Sequence, residues 1–563
     1  MFADVTVGTI LDEFSELAFA SEWNLIALSR NGWENQLDEL DFVFVESAWN
    51  GNGGQWQYQL TGTSGVKADF IDLIETCRGR GIPTVFWNKE DPPHYADFLE
   101  AARLFDFVFT SDEQLIERYC SDLGHDRVSA LSFAAQPAIH NPERLRVGHQ
   151  SRDVAFGGMY FAHRYPERRE QMDWLLGAAA DVSPKMEHGF EIFSRQHGGD
   201  ERYQFPAPLD KHVVGSLPYA HMLTAYKAFR TFLNVNSVVD SPSMCARRIF
   251  EISATGTPVV SAPSSGTQAF FPSDEVFQPE TREEAGQVIR ALVRSPELRD
   301  RTVHLAQRRI WRQHTYTHRA MTIMDSVGIA HPDPIARSAS LLVSTNRPKQ
   351  LDHVLTMTAR QTHSDTELIL LTHGFELTEA DIQAKARDLG IQHLTLLSAS
   401  QDNTLGQCLN RTISASSGDV LLKMDDDDIY GEHYVSDQLA ALRYSAADMV
   451  GKQAHYLYLT GSKLVMRRFP EREHKFTELV MGPTMTAARD VFETLRFANV
   501  PRGEDTDLQN RLVASGGAIY SADRFNFIQV RTDHAHTWQV DDALLLANSE
   551  VHAFDFATGH YLF

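Results

Sequence analysis

A chain of 563 residues is too long for a single hydrophobic core, so length alone sets an expectation of roughly three or four globular units. Hydrophobic residues make up 43% and charged residues 23%, the proportions of packed soluble domains, and no apolar run approaches the ~18 residues that read as a membrane span. Acidic residues outnumber basic ones 75 to 52, and the resulting net charge of -23 argues against nucleic acid or an anionic membrane surface as the main partner.

The first run, MFADVTVGTILDEFSELAF, has no basic leading region and carries acids within its apolar stretch. It reads as a strand entering a helix, not as a secretion signal. DFVFVES (41–47), PTVFWN (83–88) and FDFVFTS (105–111) are Val- and Phe-rich strand patterns bounded by polar turns. Between them VKADFIDLIETCRGRG (66–81) has helical spacing and ends on Gly81. This β-α-β rhythm predicts a parallel sheet with helices on both faces. It restarts at RDVAFGG (152–158), RTFLNVNS (230–237) and GTPVVSA (256–262), which places a lobe boundary at 140–150 inside AIHNPERLRVGHQSRD. A helical pattern over 282–327 gives way to GIAHPDPIAR (328–337), whose two prolines mark a linker. New strands follow at ASLLVST (339–345), ELILLTH (367–373) and DVLLKMD (419–425). The expected domains are therefore 1–145, 146–330 and 336–563. Cys77, Cys120, Cys245 and Cys408 are far apart with no CxxC pair, which suits small buried hydrophobes of a reducing cytoplasm.

Asp425, Asp426, Asp427 and Asp428 follow the strand VLLKM. Two unit charges about 4 Å apart repel by about 4 kcal/mol at an effective dielectric of about 20, so four adjacent carboxylates need full solvation or a cation among them. Hard divalent ions such as Mg²⁺ or Mn²⁺ prefer these oxygens and leave positions for substrate phosphates. The end of a sheet strand is also where an α/β fold places its ligand crevice. A solvated acidic turn is the alternative.

The neighbours of this cluster are DNTLGQCLNRTISASSGDVLLKMDDDD (402–428), VMGPTMTAARDVFETL (480–495) and RGEDTDLQNRLVASGGAIY (502–520). In this order they resemble the inverting family 2 glycosyltransferases of GT-A fold, over about 339–540. The resemblance implies that Asp425 and Asp427 form the Asp-x-Asp motif for metal and nucleotide diphosphate, with Asp427 in direct metal contact. It implies Asp505 as the base that deprotonates the acceptor hydroxyl, with Glu504 beside it at the acceptor site. From STNRP (344–348) it places Thr345 and Arg347 near the nucleotide, and from HAHTW (534–538) it takes His536, ahead of His534, to complete the metal shell. The cofactor implied is Mn²⁺ or Mg²⁺ and the donor a UDP-sugar. There is one departure: the strand ELILL ends in Thr372-His373-Gly374, with no Asp to contact the base. For Glu504 and Asp505 the plain reading is an acid pair opening a helix and satisfying its dipole.

Within the first 330 residues no G-x-G-x-x-G is present. NVNSVVDSPSMCARRIFEISATGTPVVS (234–261) resembles the donor-binding half of GT-B glycosyltransferases. That implies Glu251 on the donor ribose and Arg247 or Arg248, with the helix N-terminus, on the diphosphate. Adjacent helix positions point apart, so one of the two arginines is expected to face the cleft. A closer resemblance, over most of 1–325, is to the CgeB-like, spore-maturation group of GT-B proteins. It rests on FVESAW (44–49), PTVFWNKEDPPHY (83–95), VAFGGMY (154–160), residues 247–251 and QHTYTHR (313–319). Gly157 and Gly158 fit a close approach to phosphate, or a plain tight turn. Glu90, Asp91 and His94 are candidates for a base or acceptor ligand, or for a salt-bridged turn. Trp49, Trp56 and Tyr58 could stack on sugars or simply pack.

The expectation is thus an α/β chain, two Rossmann-like lobes of a GT-B module followed by a GT-A domain. It would act as a bifunctional cytoplasmic glycosyltransferase that extends a bacterial surface glycan or protein-linked glycan from nucleotide sugars. A glycan-binding scaffold with one inert module and a metal-dependent nucleotidyltransferase are the rivals.

Overall fold

The structure, a computed structural model, describes residues 1–62, 65–532 and 542–563. The chain divides into two units, Met1–Pro332 and Asp333–Phe563.

The first unit opens on β1 (Phe2–Ile10), β2 (Trp23–Ala27), β3 (Phe42–Glu46), β4 (Thr84–Asn88), β5 (Phe107–Thr110) and β6 (Val128–Ala130). They form one sheet in the order β2-β1-β3-β4-β5-β6 with every pair parallel. β3 and β4 are buried along their whole length, which is why Phe42–Val45 and Val85–Trp87 are unbroken apolar runs that do not alternate. The helix Ala68–Gly79 buries Phe70, Leu73, Ile74 and Cys77, the stripe that helical spacing brings to one face. Gly81, at φ +74°, turns the chain back toward β4.

A second parallel sheet holds β7 (Arg152–Gly158), β8 (Phe190–Ser194), β9 (Val213–Gly215), β10 (Phe229–Asn234) and β11 (Val259–Ser261) in the order β11-β10-β7-β8-β9. The helical pattern after residue 282 is three helices, Arg282–Arg294, Pro296–Gln313 and Tyr316–Val327, the last ended by Gly328 at φ +79°. In both sheets strand order reverses beside the first strand, between β1 and β3 and between β7 and β10. Ligands of open α/β sheets lie beyond the carboxyl ends of strands at such a point.

The second unit is built on β12 (Ala339–Thr345), β13 (Thr366–His373), β14 (His393–Ala399), β15 (Val420–Met424), β16 (Ile429–Tyr430), β17 (Met449–Gly451), β18 (His455–Leu459), β19 (Leu464–Arg468), β20 (Lys475–Thr477), β21 (Thr486–Ala488), β22 (Ile519–Ser521), β23 (Phe527–Arg531) and β24 (Ser549–Phe554). The main sheet runs β14-β13-β12-β15-β21-β17-β22-β20 and a smaller one β16-β23-β18-β19-β24. β12 to β15 are mutually parallel, whereas β21 is antiparallel to β15. No helix among the described residues is long and apolar enough to cross a membrane. All four cysteines are free, with Cys77, Cys245 and Cys408 buried.

Residues 1–332 and 333–563, produced as separate polypeptides, should each melt in one cooperative transition by circular dichroism. Aggregation of both pieces would mean that the division at 332 cuts through a shared core.

Candidate functional site

β15 is buried from Val420 to Met424, and its fourth residue is a lysine. The Lys423 ammonium group, with 2% of its side chain exposed, lies 2.8 Å from Asp425 Oδ1 and 3.2 Å from Asp505 Oδ2. Burial works against its charge, but Asp425 and Asp505 outweigh burial and push its pKa up, so it stays an ammonium ion. Asp505 sits in the first turn of the helix Glu504–Ala514, with Glu504 buried just before it. Burial raises the Asp505 pKa to about 6; Lys423 pulls it down, while Asp425 and Glu504 push it up. Its second oxygen, Oδ1, is buried without a hydrogen-bond partner. A carboxylate with one oxygen held by an ammonium group and the other unused suits a proton acceptor.

The four aspartates have four different surroundings. Asp426 is buried, accepts from Thr345 Oγ1 at 2.5 Å and is held bidentate by Arg347 at 2.6 and 3.2 Å. Asp428 accepts from the Val530 N–H at 2.9 Å; burial, then Asp425 and Asp427, push its pKa well up. Asp425 and Asp427 keep 40% and 18% of their side chains exposed, the former on Lys423 and the latter 2.6 Å from Arg347 Nη1. The turn at 425–428 thus leaves Asp425 and Asp427 facing outward and buries Asp426 and Asp428. The outward pair offers hard oxygen ligands, so the donor set fits a divalent cation. Thr345 ends β12 and Arg347 lies two residues on; besides bonding each other, both bond the acidic loop. His536 and His534 lie outside the described residues.

The loop is tied down from below. Tyr430 accepts from the Asp425 N–H at 2.8 Å and donates to Pro483 O at 3.0 Å. Gly482, next to Pro483, leaves room for Asp505: a Cβ there would stand 2.0 Å from Asp505 Oδ2.

In the first unit a cleft of about 1160 Å³ opens between the two parallel sheets, at the carboxyl ends of β1 and β7. Gly157 and Gly158 line it, and so do Arg195, Arg247 and Arg248. Both Arg247 and Arg248 reach the cleft, against the expectation that only one would. The reason is that the helix Arg247–Ala254 presents its first turn, not one side, to the opening. Arg248 donates to Gly157 O, and Arg247 lies 2.5 Å from Glu251 Oε1. Arg195 has its pKa lowered by burial and then by Arg248 and Arg247, as expected where three cations crowd together.

Glu251 is fully buried behind these arginines. It accepts from Tyr219 OH at 2.8 Å and Tyr226 OH at 3.5 Å, with His140 Nε2 3.7 Å away. Burial lowers the His140 pKa to about 4, so the ring is neutral near pH 7. Glu251 thus reaches the cleft through Arg247 and Tyr219.

Across the cleft stands a residue that sequence reading passed over. Asp12, just beyond β1, lines the opening with 21% of its side chain exposed and lies 3.1 Å from Lys89 Nζ. Lys89 is buried and bonds Glu46 at 2.8 Å. Phe14 is flanked by Lys89 Nζ and Arg247 Cζ, each 4.1 Å from its ring centroid. Glu90, Asp91 and His94 are not among the cleft-lining residues. Asp91 is buried under Asn88, Thr110 and Tyr119, burial raising its pKa to about 7, and His94 pairs with Asp97 at 2.7 Å. Trp56 is a core residue that donates to Leu28 O at 2.8 Å, so it is not available to stack on a sugar.

Residues 168–325 match the family model described as glycosyl transferase-like, and residues 341–496 match glycosyl transferase family 2. Each unit contains a glycosyltransferase domain. The first match takes in Arg195, Arg247, Arg248 and Glu251; the second takes in the four aspartates and ends before Glu504 and Asp505. The fold is accordingly a GT-B-like part followed by a GT-A-like part. Among solved structures, S. aureus TarS is similar at 16% identity over 34% of this chain and 37% of that one, with a TM-score of 0.29. S. aureus TarS 1–349 in complex with UDP-GlcNAc is similar at 17% identity, over 36% of this chain and 62% of that one, TM-score 0.30. The mannosyltransferase PcManGT from Pyrobaculum calidifontis, in complex with GDP-Man and Mn²⁺, is similar at 14% identity, over 37% and 61%, TM-score 0.28. The chain spans less than two thirds of each of these. No curated protein matches it.

Gly482→Ala should push the Asp505 carboxylate off Lys423 and lower turnover of the C-terminal unit by about 10²-fold, as a misplacement of about 1 Å does. The far-ultraviolet circular dichroism spectrum should not change. Wild-type turnover in this variant would show that the position of Asp505 does not matter.

Proposed function

We propose that the chain is a bifunctional glycosyltransferase with a separate nucleotide-sugar site in each unit, extending a bacterial surface glycan or a protein-linked glycan in the cytoplasm. The observation that carries this reading is the position of Asp505, one oxygen on Lys423 and the other buried and unpartnered, beside the outward pair Asp425 and Asp427.

In the C-terminal unit Asp425 and Asp427 would hold a divalent cation, Mn²⁺ or Mg²⁺, with His536 as the expected further ligand. Bound there, it would supply charge neutralisation for the departing diphosphate. Asp505 takes the proton of the acceptor hydroxyl as that oxygen bonds the anomeric carbon. The bond from that carbon to the diphosphate breaks on the opposite face, with inversion. Glu504 lines the acceptor side. The donor expected from the family resemblance is a UDP-sugar, with Thr345 and Arg347 at its nucleotide end.

In the N-terminal unit the diphosphate faces Arg195, Arg247 and Arg248 beside Gly157 and Gly158. Glu251 keeps Arg247 and Tyr219 in place, and Asp12 is the carboxylate that faces them across the cleft.

The test is nucleoside diphosphate release from a panel of nucleotide sugars, run on the full chain and on each unit. Asp427→Ala or EDTA should abolish release by the C-terminal unit alone. Asp505→Asn should lower its turnover by about 10²–10⁴, the usual worth of a general base, with donor binding retained. A lowered melting temperature with near-normal turnover would instead make Asp505 a helix-capping acid. Glu251→Gln and Asp12→Asn should impair the N-terminal unit only. A single donor whose release falls equally with Glu251→Gln and Asp427→Ala would refute two sites, and pyrophosphate as product would favour a nucleotidyltransferase.

A further inference from the structure

The donor lobe of the first unit has a second opening, at the amino ends of its strands. A cavity of about 370 Å³ is lined by Lys185, Arg230, Arg290, Arg294 and Arg299, with Asp153 and Glu187 as the only acids in its wall. Both acids are engaged by one cation: Arg230 lies 2.6 Å from Asp153 and 3.9 Å from Glu187. Asp153 is further occupied by the His188 and Gly189 N–H groups at 2.7 and 2.9 Å. Arg299 donates to the carbonyls of Leu292 and Val293 at 2.8 and 3.1 Å. Lys185, Arg290 and Arg294 have no carboxylate partner among the described residues, in a chain where acids outnumber bases 75 to 52. The Nε–H of Arg290 is buried with nothing to accept it. A buried donor without a partner costs about 1–3 kcal/mol, so an acceptor in the cavity would be favoured.

A helix terminus adds to the same wall. The 18-residue helix Pro296–Gln313 begins at the cavity, and its N-cap Ser295 makes no side-chain capping bond. Its first N–H groups carry the positive end of the helix dipole. Unpaired guanidinium groups, an ammonium group and an uncapped helix start around one small cavity are the elements that bind phosphoryl oxygens.

We propose that this cavity is a binding site for a small phosphorylated anion, of the size of a diphosphate or a sugar phosphate. Its volume falls at the low end of small-molecule pockets, too small for a whole nucleotide sugar. It is distinct from the donor cleft: Asp153 and Gly157–Gly158 sit near opposite ends of β7, about 15 Å apart at ~3.3 Å per residue. The proposal does not depend on either unit being active.

Isothermal titration of the full chain in EDTA tests it, with inorganic pyrophosphate and glucose 6-phosphate as separate probes. Wild-type protein should bind at least one of them at a site that survives Arg248→Gln, a change confined to the donor cleft. Tighter binding of pyrophosphate identifies a free diphosphate, and tighter binding of glucose 6-phosphate a phosphate ester. The double variant Arg290→Gln/Arg294→Gln should weaken that site by about 10-fold or more, the loss of at least one charge-assisted hydrogen bond, with an unchanged melting temperature. Should the double variant fail to fold, the exposed Lys185→Gln serves in its place and should weaken binding by about 3-fold or more, part of one such bond. Binding of neither probe, binding abolished by Arg248→Gln, or wild-type affinity in a folded cavity variant would overturn the proposal.

Discussion

An ammonium group inside a sheet costs several kcal/mol unless carboxylates surround it, and β15 places Lys423 there. Much of the C-terminal site follows from that requirement. Asp425 comes from the same strand end and Asp505 from a helix 80 residues later in the chain. Bringing the second to the first requires the helix Glu504–Ala514 to start at the carboxyl end of β15. It also requires a glycine at 482, because any side chain there would occupy the space of the carboxylate. Tyr430 then links the acidic loop to the Pro483 carbonyl beside that glycine. With Asp425 compensated from below and Asp426 and Asp427 by Arg347, the loop does not repel itself apart.

The same device appears in the first unit. Lys89, buried just past β4, joins Asp12 at the end of β1 to Glu46 at the end of β3, the two strands between which sheet order reverses. Burial raises the Glu46 pKa while Lys89 pulls it down, and Ser15 and the Asp12 N–H also bond its carboxylate. Glu46 is the buried anchor and Asp12 the member that reaches the cleft. In both units a lysine at a parallel-strand end thus fixes a partly exposed carboxylate where an α/β sheet places its ligand.

The strands were legible where burial on both faces left a run of apolar residues at the centre, as at 42–45, 85–87 and 341–343. β14 was not, because its middle is only partly buried and its composition is mixed, and strands as short as β16 and β17 carry no periodicity to read. At the site, the acidic loop and the Glu504–Asp505 pair stood out because clustered charge is rare. Lys423 and Lys89 did not, though each had a signal: a lysine within or just after a wholly apolar strand must find carboxylates. Asp12 gave none, since one acid among Asp12, Glu13 and Glu16 looks like a helix start. Arg195 stands apart in sequence from Arg247 and Arg248, and only folding brings the three to one cleft.

The net charge of -23 and the arginine-lined cleft are compatible because they act over different distances. Salt screens the field of the whole molecule within about 8 Å at physiological ionic strength, so surface acids do little to an anion already inside the cleft. There burial and neighbouring arginines hold down the charge of Arg195 and Arg248, while Glu251 supports that of Arg247. An anion that enters relieves that crowding as well as gaining hydrogen bonds, whereas a long polyanion would still meet the acidic exterior along the rest of its length. Overall charge therefore weighs against a long polyanion without weighing against the compact diphosphate of the proposed function.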